Sequence, residues 1–158
     1  MPKENPFKKL PSGLTTFARK VALALLREYP EFSKDLLELN GDLMTRIPAP
    51  SNSKAKYLGI QTNGHDLWIK FGAHGAIYGT DTIKEAIGIV EKLLADKICF
   101  VAVTKNRQWV ESTLVATDIK PQLETKTGTV WIISWSGKYD RKFSVKARPS
   151  IKPAKSAK

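Results

Sequence analysis

Few side chains in this chain are suited to chemistry at neutral pH: two histidines, His65 and His74, and one cysteine, Cys99. Imidazole titrates near neutrality and thiolate is a nucleophile, so these residues are weighed first. His65 sits in the turn Asn63-Gly64-His65-Asp66, and is expected to be exposed there. His74 sits in Phe71-Gly72-Ala73-His74-Gly75-Ala76. Gly72, Gly75 and Gly79 give the backbone around it conformational freedom, and loops of this kind approach ligands closely. His74 is therefore a candidate binding residue, and an enzyme centred on this loop is one functional alternative.

Known catalytic patterns are missing. No H-E-x-x-H or paired C-x-x-C spacing is present, so no metal site is expected. Neither G-x-S-x-G nor a phosphate-binding G-x-G-x-x-G occurs, and no cofactor is expected. Cys99 lies inside Ile98-Cys99-Phe100-Val101-Ala102-Val103, the most apolar run, and reads as a small core residue. A non-enzymatic protein is the expectation.

The tryptophans carry the second set of candidates. Trp131 and Trp135 share a face of the predicted strand 129–135 with Ile133, while Val130 and Ile132 point the other way. A strand apolar on both faces is either sandwiched or offers aromatic surface to a partner. Arg141 and Lys142 lie on the next strand, where they would flank those rings. His74, Trp131, Trp135, Arg141 and Lys142 are the candidate binding set.

The elements that must position these residues are legible from periodicity. Ile83, Ala86, Ile87, Val90, Leu93 and Leu94 make one helical stripe, opened by the Thr82–Glu85 capping-box spacing, so 82–95 is a helix. Gly88 in its middle would admit a close neighbour. Leu14, Phe17, Ala18, Val21, Ala22, Leu25 and Leu26 make another stripe, with Ser12 as N-cap and Tyr29-Pro30 as the stop. A shorter helix with Phe32, Leu36 and Leu39 inward would follow, ending at Asn40-Gly41.

Three hairpins are predicted, at 57–71, 98–115 and 129–145, with a turn at Lys105-Asn106 in the second. A short strand at Ala76-Ile77-Tyr78 would add to them. The expected fold class is α+β: an antiparallel sheet of about five to six strands, one central helix packed on it, and an N-terminal two-helix unit. The expected organisation is a flexible arm (1–11), one domain (12–147) and a disordered basic tail (148–158). Within the domain, a helical unit spans 12–43, a linker 46–56 and the sheet–helix core 57–147.

The net charge of +11 is unevenly placed. Residues 57–119 carry 6 basic and 7 acidic side chains, whereas residues 120–158 carry 10 and 2. Lys138, Arg141, Lys142, Lys146 and Arg148 would supply salt-sensitive, nonspecific attraction to nucleic acid, which is the second functional class. No secretory signal or membrane-length apolar run is present, so a cytoplasmic location without membrane contact is expected. A neutral folded centre, surplus aromatic strand surface and no catalytic set together point to a protein partner. The size and layout resemble those of small bacterial binding proteins, immunity proteins of toxin systems among them. An immunity, antitoxin or inhibitor module is the kind expected.

Overall fold

Thr15, not Ser12, opens the first helix: its hydroxyl accepts the Ala18 N–H at 3.1 Å. In a computed structural model, which describes residues 10–118 and 128–145, α1 spans Thr16–Glu28. Of its expected apolar stripe, Ala18, Val21, Ala22, Leu25 and Leu26 are buried, while Leu14 and Phe17 are partly buried. A short 3-10 helix, Pro30–Asp35, follows.

The second N-terminal helix does not form. Leu36–Leu39 (β1) and Asp42–Thr45 (β2) make an antiparallel hairpin instead. Asn40 and Gly41 have φ of +52° and +88°, the two left-handed residues of a tight hairpin turn. Asn-Gly serves both as a helix stop and as a hairpin turn, and strand pairing decides between them. The expected linker also contributes a strand: Ile47–Pro48 (β3) pairs with Tyr57–Asn63 (β4).

β4 pairs with Asp66–Phe71 (β5) around Gly64-His65, and β5 pairs with Ile77–Thr80 (β6). These six strands form one antiparallel sheet, ordered β1-β2-β4-β5-β6 with β3 beside β4. Two threonine hydroxyls join β2 to β4. Thr45 accepts the Ile60 N–H at 2.7 Å, and Thr62 accepts the Leu43 N–H at 2.9 Å. Both threonines are fully buried, and these bonds offset the cost of placing a hydroxyl there.

Ile83–Leu94 (α2) then crosses to a second sheet. Thr82 caps α2 as predicted, but Glu85 returns its bond to the Asp81 N–H. A Cβ added at Gly88 would meet nothing within 4 Å. Gly88 lines a cavity of about 640 Å³ between the two helices, contrary to the close neighbour expected.

Ile98–Lys105 (β7), Gln108–Ala116 (β8), Gly128–Ile133 (β9) and Arg141–Val145 (β10) form the second sheet, ordered β10-β9-β7-β8. The fold is thus α+β with antiparallel pairing, divided into sheets of six and four strands. The β7–β8 turn is Asn106-Arg107, one residue later than predicted, with φ of +52° and +64°. A register shift at Val103/Thr104 absorbs the difference. β9 stops at Ile133, so Trp135 lies beyond the strand.

Both sheets face one core. The helices pack on the inner face of the larger sheet, against β2 and β5. Phe100, Ala102 and Ile133 of the smaller sheet join the same cluster, and the Phe71 and Phe100 rings meet edge-on at 4.9 Å. On the opposite face of the smaller sheet, Cys99, Val101, Val103, Val130 and Ile132 are buried as a second cluster. The sheets touch where β6 meets β8. There Ser112 Oγ accepts the Ile77 N–H at 3.0 Å and donates to the Ile77 carbonyl at 2.6 Å. Leu10 is packed against the core, while most of the expected arm, the centre of the 117–128 loop and the whole tail lie outside the described residues.

Candidate functional site

The loop from Gly72 to Ala76 joins β5 to β6, and glycine is needed at two of its positions. A Cβ at Gly72 would collide with the Tyr57 ring. Gly75 has φ of +69°, and Trp109 Cδ1 lies 2.6 Å from where its Cβ would stand. Buried Ala73 and Ala76 anchor the loop on the core. His74 between them takes φ of +55°, a left-handed conformation that histidine tolerates better than bulky residues do.

This backbone path places the His74 imidazole on Trp131, with ring centroids 3.5 Å apart and planes 12° apart. Trp131 stands in register with Ala102 and Lys142, on the core-facing side of β9. Its indole N–H donates to Thr104 Oγ1 at 3.0 Å. Lys142 Nζ is 4.6 Å from the indole centroid, within cation–π range. Burial lowers the His74 pKa, and the positive charges of Lys56, Lys142 and Lys54 lower it further. The imidazole is therefore held neutral in an electropositive corner.

Three of the five candidates, His74, Trp131 and Lys142, come together here. Arg141 lies next to Lys142 but pairs with Ile132, on the other face of the sheet. Trp135 is elsewhere, partly buried against Phe71 with centroids 6.1 Å apart. The second strand of the predicted 129–145 hairpin is exposed at Arg141, Lys142, Phe143 and Ser144. As an edge strand it has one neighbour only, and its charges face water.

Sequence reasoning missed Asp140. One of its oxygens accepts the Ser134 N–H at 2.7 Å and the Ser134 hydroxyl at 3.2 Å. The other accepts the Lys54 N–H at 2.7 Å. Ser53 Oγ donates to the Ser134 carbonyl at 2.8 Å across the same joint. The carboxylate thus ties the β3–β4 loop to the β9–β10 loop. A lone acid in a basic run was the only signal.

A second surface lies on the outer face of the six-stranded sheet. Strand alternation sends Leu43, Ile60, Ile69 and their neighbours inward. The residues between them form one transverse row, Leu37–Met44–Gln61–Trp68–Gly79, matched strand by strand in register. Leu37 is 50% exposed, Leu39 beside it 55%, and Trp68 36%. Lys70 lies over Gly59 and extends towards the Tyr57 ring, with Nζ 6.0 Å from the centroid. Arg46 reaches the same ring from the other side of the strand pair at 5.4 Å. An apolar band with a basic flank is therefore left uncovered by the described residues.

Among the described residues no group of three or more histidine, cysteine or acidic side chains could hold a metal ion. No helix there is long and apolar enough to cross a membrane. No protein-family model, curated protein or solved structure matches this chain.

Proposed function

We propose that this is a non-enzymatic protein that binds another protein through the outer face of its six-stranded sheet, as an inhibitor, antitoxin or immunity module would. The transverse row from Leu37 to Trp68 carries the reading. It is apolar at both ends and built on paired strands, so its backbone is already ordered for binding. Isolated exposed leucines are ordinary, but Leu37 and Leu39 beside the partly exposed Met44, with Trp68 across Gln61 from them, have the apolar composition of an interface centre. Arg46 and Lys70 beside Tyr57 favour a partner with acidic groups at the rim.

The test is capture of the partner from the native host with the wild-type chain and with Leu37→Asp. The captured protein should be lost with Leu37→Asp, whose thermal stability should stay near wild type because the side chain is already exposed. Equal capture by both chains would refute the reading.

A second reading, nucleic-acid association through the basic C-terminal strand, rests on Lys54, Lys56 and Lys142 gathering around His74. The described residues carry 16 basic and 13 acidic side chains, so most of the excess charge, Lys146 and Arg148 included, lies outside them. Duplex DNA binding by the full chain, falling steeply with salt and weakened by Lys142→Gln, would favour this reading.

A further inference from the structure

We propose that the recess at the mouth of the β9–β10 hairpin is a binding site for a phosphomonoester, a ligand with a dianionic phosphate and an apolar body. The recess has a volume of about 370 Å³. It exists because the hairpin splays: Ile132 and Arg141 are the last paired residues, and the chain from Ser134 to Asp140 turns away to bond the β3–β4 loop. This site is distinct from the outer-face row and does not depend on the reading given to that row.

Charge identifies the ligand class. Lys54, Arg141 and Lys142 line the recess, Arg141 and Lys142 from opposite faces of the edge strand β10, and Asp140 is the one acid among its lining residues. Asp140 is already engaged at both oxygens, by Ser134 and by the Lys54 N–H, so it is held as part of the frame. Three cations against one carboxylate leave a net of +2. A phosphomonoester above its second pKa brings two negative charges and three acceptor oxygens, and guanidinium binds such a group in a bidentate fork. A carboxylate would leave one cation unmatched. Trp131, partly buried and stacked on His74, is the apolar wall of the recess, with the almost fully buried Ile132 and Ile133 behind it, and suits a small flat or hydrocarbon body.

Lys54 comes from a different element than Arg141 and Lys142, and the Asp140 bond to the Lys54 backbone sets their spacing. The ligand would therefore bridge the two loops that Asp140 joins. Its phosphate can belong to a free ester or to the end of a nucleic-acid strand, and the experiment separates these sources.

The test is calorimetric titration of the full chain with phenyl phosphate, inorganic phosphate and benzoate. Phenyl phosphate should bind saturably at one site and more tightly than either of the others. Arg141→Gln and Lys54→Gln should each weaken it by about tenfold, the loss that follows from one charged hydrogen bond. Binding should also fall as pH drops through about 6, where the ester loses its second charge. A 5′-phosphorylated oligothymidylate that binds better than its 5′-hydroxyl form, and displaces phenyl phosphate, would identify a strand end as the source. Equal binding of the two oligonucleotides beside saturable phenyl phosphate would identify a free ester. The proposal is overturned if phenyl phosphate gives no saturable heat. It is overturned equally if both glutamine variants, shown folded by circular dichroism, bind phenyl phosphate as wild type does.

Discussion

Trp68 lies across Gly79 of the neighbouring strand, with its Cζ3 only 3.0 Å from where a Cβ on Gly79 would be. The two residues are a cross-strand pair, and the missing side chain makes room for the indole. One residue pair thus explains why a tryptophan on an outer sheet face is held in place while remaining 36% exposed. Gly79→Val should push the ring away from the sheet. The variant should fold, with a red-shifted tryptophan emission and weaker partner binding; unchanged emission would show that the indole does not depend on Gly79.

Ser112 is the joint between the sheets at β6 and β8. Ser112→Ala removes the acceptor for the Ile77 N–H and the donor to its carbonyl. Stability should fall by about 1–3 kcal/mol, the cost of leaving such groups unpaired. Urea unfolding checks this, with the far-ultraviolet circular dichroism of the native state unchanged.

Gly88 should be replaceable with a gain. It is helical, and an added Cβ meets nothing within 4 Å. Gly88→Ala should raise stability by about 1 kcal/mol, because alanine loses less backbone entropy in a helix. A loss in urea unfolding would mean that the cavity between α1 and α2 is needed open.

His74 gives stability a pH dependence of defined sign. Its pKa is lowered by burial and by three lysines, so the unfolded chain binds its proton more readily. The contribution is fully present above the unfolded value of about 6.5 and is lost as pH falls through the lower folded value. Urea midpoints for wild type and His74→Gln should therefore draw together as pH falls from 7.5 to below the folded value. A difference that widened in acid would contradict the neutral imidazole on Trp131.

Cys99 should be inert while the chain is folded. Burial, with the Asp140 and Asp96 charges adding to it, pushes its thiol up to about 11. Ellman's reagent at pH 8 should react only as urea unfolds the protein. Rapid labelling of the native chain would contradict the buried assignment.

The helical stripes and the three hairpins were legible because each depends on neighbours in sequence. Val90 and Leu93 are buried by the period that announced them, and Thr82 caps where its spacing to Glu85 implied. Leu36 and Leu39 misled because an i, i+3 pair shares a helix face but falls on opposite faces of a strand, where Leu36 is buried and Leu39 is exposed, and Asn40-Gly41 is punctuation in both languages. Whether the strands make one sheet or two depends on contacts such as Ser112 to Ile77, which no local pattern carries.

The candidate set was partly legible for the same reason. His74 stood out by the glycines around it, but its stacking on Trp131 joins positions 57 residues apart in sequence. Trp135 was assigned to a strand that ends two residues earlier, yet it packs against the same core cluster as Trp131 and Ile133, the side its spacing implied. The outer-face row was invisible because its members come from five strands and align only through register. Trp68 by itself gives no signal of exposure, because a tryptophan on a strand is usually core.

The most direct measurement is the affinity of the captured partner for three chains: wild type, Trp68→Ala and Lys142→Gln. A desolvated aromatic at an interface centre is worth about 2 kcal/mol or more, so Trp68→Ala should weaken binding by at least about thirtyfold. Lys142→Gln, on the other sheet and remote from the row in register, should change affinity little. If Trp68→Ala binds as wild type does while Lys142→Gln loses the partner, the outer face is not the interface and the proposed function fails.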